Sequence, residues 1–312
     1  MAVERTEKER ERFNPQLKLT KHKEFSNFLN GEKIYPINVE ISPCHTCNAT
    51  CDWCFYAGTH EKLKNSTLDK KVGIQLLEDL ILIGTKAVTW TGGGEPTLHP
   101  DFEDFSLQAH QGGLDQGLFT NALLPPKYNP SLFNWIRVSN TNKPWNEKSL
   151  HFLRERIGSL GMALNYIGDD SKIFEALEIG ERVGVNYVQV RQALNLRGLL
   201  TERIPPLIKH PLLMITSYKF DDSKNPHGYD NCYGFNFVPF IWHDGDVDVC
   251  GYHRKKGGEL TLGNLHKKRF TQIMDESSEF VKVRSDCQVC CKNHEINKLV
   301  NEAKQLKDVN FI

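Results

Sequence analysis

Between residues 37 and 191 the chain alternates six short apolar runs with stretches of helical periodicity, and this rhythm limits the fold more than any other feature of its 312 residues. The runs fall at 37–41, 87–90, 117–121, 135–139, 162–167 and 186–191. Helices are expected near 68–83, after Pro100, and near 146–157 and 171–183. In the first of these, Val72, Leu76, Leu80 and Ile83 share one face, Ser66-x-x-Asp69 predicts a capping box, and Gly84 stops the helix. Gly158 and Gly184 are the expected stops of the later two. Strands separated by helices pair in parallel through right-handed crossovers, giving an α/β fold that is either a doubly wound sheet or a barrel. Spacing alone does not choose between them.

Directly after the first strand comes Cys47-Asn-Ala-Thr-Cys51-Asp-Trp-Cys54, a C-x3-C-x2-C loop. Structural zinc and four-iron clusters both close with four protein ligands, so a loop with three thiolates points to an iron left open for an outside ligand. The alternatives are buried free cysteines, or a zinc knuckle completed by Cys44 through Cys44-x2-Cys47. After the second strand stands Thr91-Gly-Gly-Gly-Glu95-Pro96. Glycines at the C-terminal edge of a parallel strand let the backbone approach a ligand closely, although the same run also serves as a plain strand-to-helix turn.

Taken together, the cysteine loop resembles the signature of the radical S-adenosylmethionine (radical SAM) superfamily, and Gly93-Gly94-Glu95 resembles its "GGE" motif. Trp53 stands in the aromatic position before the last cysteine. The resemblance implies a partial (β/α)6 TIM-like barrel over 36–205. It also implies that Cys47, Cys51 and Cys54 hold a [4Fe-4S] cluster whose fourth iron is chelated by S-adenosylmethionine. By the same resemblance Gly93 and Gly94 hydrogen-bond the methionine end through the backbone, and Glu95 accepts from its amine. Ser139 and Asn140 would meet the ribose and carboxylate, and Asn165 and Arg191 would contact cofactor or substrate. On residue chemistry alone, a strand Asn or Arg serves equally as an internal hydrogen-bonding group. Cys44 is extra to the motif and has no assigned role.

Past about residue 205, Pro205, Pro206, Pro211, Pro226 and Pro239 interrupt the rhythm. Residues 235–242 and 247–250, around His243-Asp-Gly-Asp, read as a β-hairpin, followed by a helix over 267–282 and a final helix from about Asn293. Cys232, Cys250, Cys287 and Cys290, with Cys291 adjacent, gather thiolates as metal sites do, and four-thiolate zinc is one reading. Behind a radical SAM barrel the spacing resembles a "twitch" domain, the shortened form of the SPASM domain. That implies a small hairpin-plus-helix unit over 206–312 with a second, auxiliary [4Fe-4S] cluster on Cys232, Cys250, Cys287 and Cys290. The layout is similar to that of the 2-deoxy-scyllo-inosamine dehydrogenases. Cys291 departs from it: either Cys290 or Cys291 supplies the fourth ligand, and the spare thiol is idle or donates a hydrogen atom, which makes Cys291 the candidate catalytic residue.

Residues 1–35 form a charged extension, with helices expected over 4–12 and 17–29, read as an arm covering one end of the barrel. Basic and acidic residues balance at 39 each, which removes the global positive field of a generic nucleic-acid binder. Two basic runs, His253-Arg-Lys-Lys256 and His266-Lys-Lys-Arg269, keep local nucleic-acid contact as the lowest-ranked reading. No apolar run nears the roughly 20 residues that span a bilayer, and no export segment opens the chain, so a cytoplasmic protein with no membrane partner is expected. Nine clustered cysteines agree with a reducing compartment.

The superfamily's chemistry then implies an electron donor such as flavodoxin or ferredoxin, and reductive cleavage of S-adenosylmethionine to a 5′-deoxyadenosyl radical that takes a hydrogen atom from the substrate. The expected substrate is a small polar metabolite of sugar or cyclitol type, oxidised or rearranged. The alternatives are epimerisation or crosslinking of a peptide or protein, modification of a nucleic-acid base, and, without catalysis, a zinc-binding interaction module.

Overall fold

The computed structural model describes residues 14–54, 56, 66–195, 198–199, 208–216, 227–251, 260–284, 287 and 293–307. The expected helix over 4–12, the basic run at 253–256, and both Cys290 and Cys291 lie outside the described residues.

Six strands stand side by side in chain order, all parallel: β1 (Asn38–Ile41), β2 (Ala87–Trp90), β3 (Asp115–Thr120), β4 (Trp135–Ser139), β5 (Leu160–Tyr166) and β6 (Tyr187–Gln192). They are the six apolar runs, shifted by at most two residues at either end. A short antiparallel pair follows, β7 (Leu194–Asn195) and β8 (Gly198–Leu199). The parallel sheet then gains β9 (Leu213–Thr216) beside β6, beyond the point where the rhythm was expected to end. Proline punctuation marks loops, and the four residues after Pro211 and Leu212 suffice for one more edge strand.

At the other edge β11 (Phe240–Ile241) pairs parallel with β1 and antiparallel with β12 (Asp246–Asp248), which pairs with β13 (Thr261–Asn264). The expected Asp-Gly turn is present. Gly245 has φ +81°, and the Trp242 N–H donates to Asp246 O at 2.9 Å. The cysteine-bearing hairpin thus continues the barrel's own sheet, which among the described residues is ten strands wide and not closed on itself. The remaining pair, β10 (Asn231–Cys232) with β14 (Val281–Lys282), is antiparallel. The helix expected over 267–282 is therefore shorter: Phe270–Glu276 is helical, and Val281–Lys282 pairs with the strand carrying Cys232.

The helices behind the sheet are Lys70–Leu82, Phe102–Gln111, Glu147–Arg154 and Ser171–Val183. The first starts at Asp69 and not at a Ser66 box: the Asp69 carboxylate accepts from the N–H of Lys71 (2.9 Å) and Val72 (3.1 Å). Residues 66–68 are committed elsewhere, because Ser66 O accepts from His45 N, Thr67 bridges Cys44, and the Leu68 N–H donates to Pro43 O. Gly84 and Gly184 close their helices in the left-handed conformation, whereas Gly158 lies beyond a helix that ends at Arg154.

The two faces of the sheet differ in polarity. Val39, Ile41, Val88, Trp90, Leu118, Ile136, Val138, Met162 and Val188 join helix residues such as Leu76, Phe105, Leu150 and Ile173 in one core. The intervening positions carry Glu40, Thr89, Arg137, Asn165, Gln189 and Arg191. A parallel sheet covered by helices on both sides is apolar on both. Here, Phe119 and Ala163 apart, the second face is apolar only near the start of the strands. There a Cβ on Gly117 would lie 2.1 Å from the Trp135 ring and one on Gly161 2.1 Å from the Tyr187 ring. The two aromatics lie over those glycines, leaving the polar positions to the C-terminal ends.

The N-terminal segment forms two helices, Pro15–Leu19 and Lys23–Leu29, where one over 17–29 was expected. Leu19, Phe28 and Ile34 pack against Tyr233, Phe237 and the C-terminal helix His294–Gln305 through Ile296 and Val300. The arm covers that helix, drawn there by the edge contacts of Phe28 with Tyr233 and Phe237. Among the described residues no helix is long and apolar enough to cross a membrane.

Candidate active site

A cavity of about 320 Å³ lies at the C-terminal ends of these strands. Cys47, Cys51 and Cys54 line it, and so do Cys232, Cys250 and Cys287. Both cysteine sets therefore share one space.

The cysteine loop and the glycine loop touch backbone to backbone. A Cβ on Gly94 would lie 2.3 Å from Thr46 O, so no side chain fits between them, and the Glu95 N–H donates to that same oxygen at 2.8 Å. Cys44 is buried between the loops, its thiol 3.0 Å from Glu95 O. Gly93 backs onto His45, whose ring a Cβ would meet at 2.6 Å, and its N–H donates to Ser42 Oγ at 3.0 Å. Gly94, not Gly93, lines the cavity.

Glu95 is buried and extensively hydrogen-bonded. Its Oε1 accepts from Thr97 N (3.2 Å), Thr97 Oγ1 (2.7 Å) and Thr120 Oγ1 (2.7 Å), and its Oε2 from Asn121 N (2.6 Å). Burial pushes its pKa up, while these four donors pull the other way. The carboxylate fastens the glycine loop to the end of β3. Asn121, which the sequence did not single out, carries the link onward, since its Nδ2 donates to Asn48 Oδ1 at 2.7 Å and lies 3.8 Å from Cys47 Sγ.

Ser139, Asn140, Asn165 and Arg191 all line the cavity. Three of them form a chain: Asn140 Oδ1 accepts from Asn165 N (2.8 Å) and Nδ2 (3.1 Å), and Arg191 Nε donates to Asn165 Oδ1 (2.8 Å). They therefore serve as internal hydrogen-bonding groups while facing the cavity. The loop after β4 also grips the cysteine loop, through Asn142 Nδ2 to Thr50 O (3.2 Å) and Lys143 Nζ to Asn48 O (3.2 Å). The only sequence signal for this was the polar run from Asn140 to Lys143.

Cys47, Cys51, Cys54, Cys232, Cys250 and Cys287 form no disulfide, and each is partly exposed. Burial pushes the Cys47 thiol up to about 11, and Cys54 and Cys51 are near enough to add to the shift. Cys232 is likewise pushed up to about 11 by burial, opposed by Asn297 Nδ2 at 3.3 Å from its sulfur, with Cys287 near enough to raise it further. Among the described residues no three His, Cys, Asp or Glu side chains converge closely enough to hold a metal ion. The donor set nevertheless suits an iron–sulfur cluster. Three soft thiols, none in a disulfide, fall within eight residues on one cavity wall, beside a loop that offers only backbone at Gly94.

No protein-family model matches the sequence, and no curated protein matches it. Solved structures do match the fold. Streptococcus suis SuiB bound to S-adenosylmethionine superposes with a TM-score of 0.60 at 16% identity, covering 83% of this chain and 71% of that one. SuiB bound to precursor peptide SuiA gives 0.60 at 14%, covering 85% and 71%. Native anSMEcpe with bound AdoMet and Cp18Cys peptide gives 0.54 at 14%, covering 84% and 88%. The partial-barrel architecture expected from the cysteine and glycine motifs is the one these structures share, and the chain has the fold of the radical SAM enzymes SuiB and anSMEcpe.

Proposed function

We propose that this chain is a radical SAM enzyme acting on a small polar metabolite. The observation that carries the reading is the shared cavity, where the three-cysteine loop, the glycine loop and a polar sheet face meet. Bound to Cys47, Cys51 and Cys54, a [4Fe-4S] cluster would supply the electron that cleaves S-adenosylmethionine to a 5′-deoxyadenosyl radical. The chain's own share is positioning and shielding. Gly94 presents backbone to the methionine end, Asn140, Asn165 and Arg191 hold one another at the strand ends, and Glu95 with Asn121 fixes the loops around them. In this division residues 36–205 carry the cleavage, and 206–312 hold an auxiliary cluster on Cys232, Cys250, Cys287 and either Cys290 or Cys291.

The polar substrate class follows from the cavity wall. Glu40 and Arg137 both line it and both are buried. The Arg137 guanidinium carbon sits over the Phe119 ring, 4.1 Å from its centroid, and Arg137 donates to Gln189 Oε1. A buried carboxyl group and a guanidinium in one pocket suit a hydroxyl- and amine-bearing molecule such as an aminated sugar or cyclitol. A second reading, modification of a peptide, is supported by the peptides bound in SuiB and anSMEcpe. The basic run at 266–269 does not favour nucleic acid, because Lys268 pairs with Glu276 and Arg269 with Asp79.

Anaerobic reconstitution tests the reading. About two [4Fe-4S] clusters per chain are expected, falling to about one when Cys47, Cys51 and Cys54 are together replaced by Ala. Reduced protein with S-adenosylmethionine should release 5′-deoxyadenosine. Stoichiometric zinc without iron, after anaerobic preparation, overturns the proposal. Acceleration by cyclitols and sugars but not by peptides selects the first substrate class.

A further inference from the structure

Two residues beyond Cys54, Tyr56 reaches the other cysteine set. Its phenol O–H donates to Gly251 O at 2.8 Å, and Gly251 is the residue after Cys250. The Tyr56 ring stands edge-on to Trp242, with centroids 5.6 Å apart and planes at 87°, and near-perpendicular to His45 at 6.3 Å. Trp242 is itself fixed: its Nε1–H donates to Asp248 Oδ2 at 2.8 Å, while Asp248 Oδ1 accepts from Thr261 Oγ1 at 2.7 Å.

Gly251 is held from its other side as well. A Cβ there would lie 2.6 Å from the Phe240 ring, so Phe240 packs directly on the glycine backbone. Phe240 stands opposite Glu40 in the parallel pairing of β11 with β1, and β1 is the strand that leads into the first cysteine loop. The two loops therefore share a rigid strand frame on one side. On the cavity side, Tyr56 crosses from one to the other.

We propose that Tyr56 is a positioning residue that couples the two cysteine sets, so that occupancy of the first site is felt at the second. The proposal rests on the two-cluster reading above. A ligand that shifts the 47–54 loop moves Tyr56 with it, and the hydrogen bond carries the displacement to the backbone beside Cys250. The aromatic packing on Trp242 keeps the ring from taking up that movement by rotating away. The Tyr56→Phe substitution separates the two parts, because it keeps the ring contact and removes only the hydroxyl.

The experiment uses the full chain, reconstituted anaerobically and reduced. The triple Cys47/Cys51/Cys54→Ala protein gives the electron paramagnetic resonance spectrum of the second cluster alone. In the wild type, S-adenosylmethionine is added and the second cluster's component is followed. The expected result is a shift of that component in the wild type and loss of the shift in Tyr56→Phe, with iron content and S-adenosylmethionine affinity unchanged. Loss of the second cluster from Tyr56→Phe with the first retained would make Tyr56 a structural support of that site alone and overturns the proposal. An equal shift in both proteins, no shift in the wild type, or loss of both clusters overturns it. A triple variant without any iron–sulfur signal instead sinks the two-cluster reading, whatever Tyr56 does.

Discussion

The thiol of Cys44 lies 3.0 Å from the backbone oxygen of Glu95, joining the strand that precedes the cysteine loop to the loop that follows β2. This gives a place to the one cysteine that no motif claimed. Burial raises the Cys44 pKa strongly, so it stays a thiol and donates.

Cys44→Ala should therefore keep the full iron content of the wild type while lowering stability by roughly 1–2 kcal/mol, from the lost thiol volume and the unmet Glu95 oxygen. Iron analysis beside thermal unfolding reads both effects. A fall in iron to the level of a Cys47→Ala variant would make Cys44 a ligand and contradict its position.

Glu95 carries a different expectation from the one its motif suggested. Glu95→Ala strips four donors of their acceptor at Thr97, Thr120 and Asn121, and should cost on the order of 3 kcal/mol before any cofactor is added. Glu95→Gln keeps the shape and should fold with a smaller loss. Weaker S-adenosylmethionine binding in the Gln variant at unchanged iron content is the expected sign of a ligand contact. Unchanged affinity would leave Glu95 a purely structural group.

The strand pattern was legible because six short apolar runs are separated by stretches of helical periodicity, and that rhythm survives without any knowledge of packing partners. The cysteine and glycine motifs were legible because each is local. The partners were not. Glu95 meets Thr120 and Asn121 from another strand, and Tyr56 meets Gly251 almost two hundred positions away, pairings that only the folded chain creates. The start of the helix at Asp69 was hidden for a similar reason, since its neighbour Ser66 is claimed by His45 from the cysteine loop.

Asp79, on the Lys70–Leu82 helix, and Arg269, before the Phe270–Glu276 helix, join the barrel to the C-terminal region. Both Asp79 oxygens accept from Arg269 Nε at 3.0 Å, Oδ1 also pairs with its Nη2, and Oδ2 accepts from Phe270 N at 3.0 Å. The Asp79 side chain is 3% exposed, whereas that of Arg269 is 44% exposed. Arg269→Ala leaves a buried carboxylate with one donor, and a loss of about 2 kcal/mol is expected after allowance for solvent at the guanidinium. Asp79→Ala and the double variant complete a cycle. Additive losses would show that the pair does not interact.

His99 gives the fold a pH dependence of predictable sign. Its Nε2 lies 2.9 Å from Leu68 O and its Nδ1 accepts from the Asp101 N–H at 3.0 Å, which fixes the neutral ring with the proton on Nε2. Burial lowers its pKa, and the Leu68 carbonyl and the Asp101 charge only partly offset this. A second proton would have to enter on Nδ1, facing the Asp101 N–H. Because the folded value lies below the unfolded one, His99's contribution is fully present above about pH 6.5 and is lost as pH falls through the folded value. His99→Gln, which keeps a donor able to reach Leu68 O, should therefore lose less stability than the wild type between about pH 7 and pH 5. Thermal unfolding of both proteins across that range reads the difference in slope. Parallel curves would show that His99 does not titrate on unfolding and that the acid sensitivity arises elsewhere.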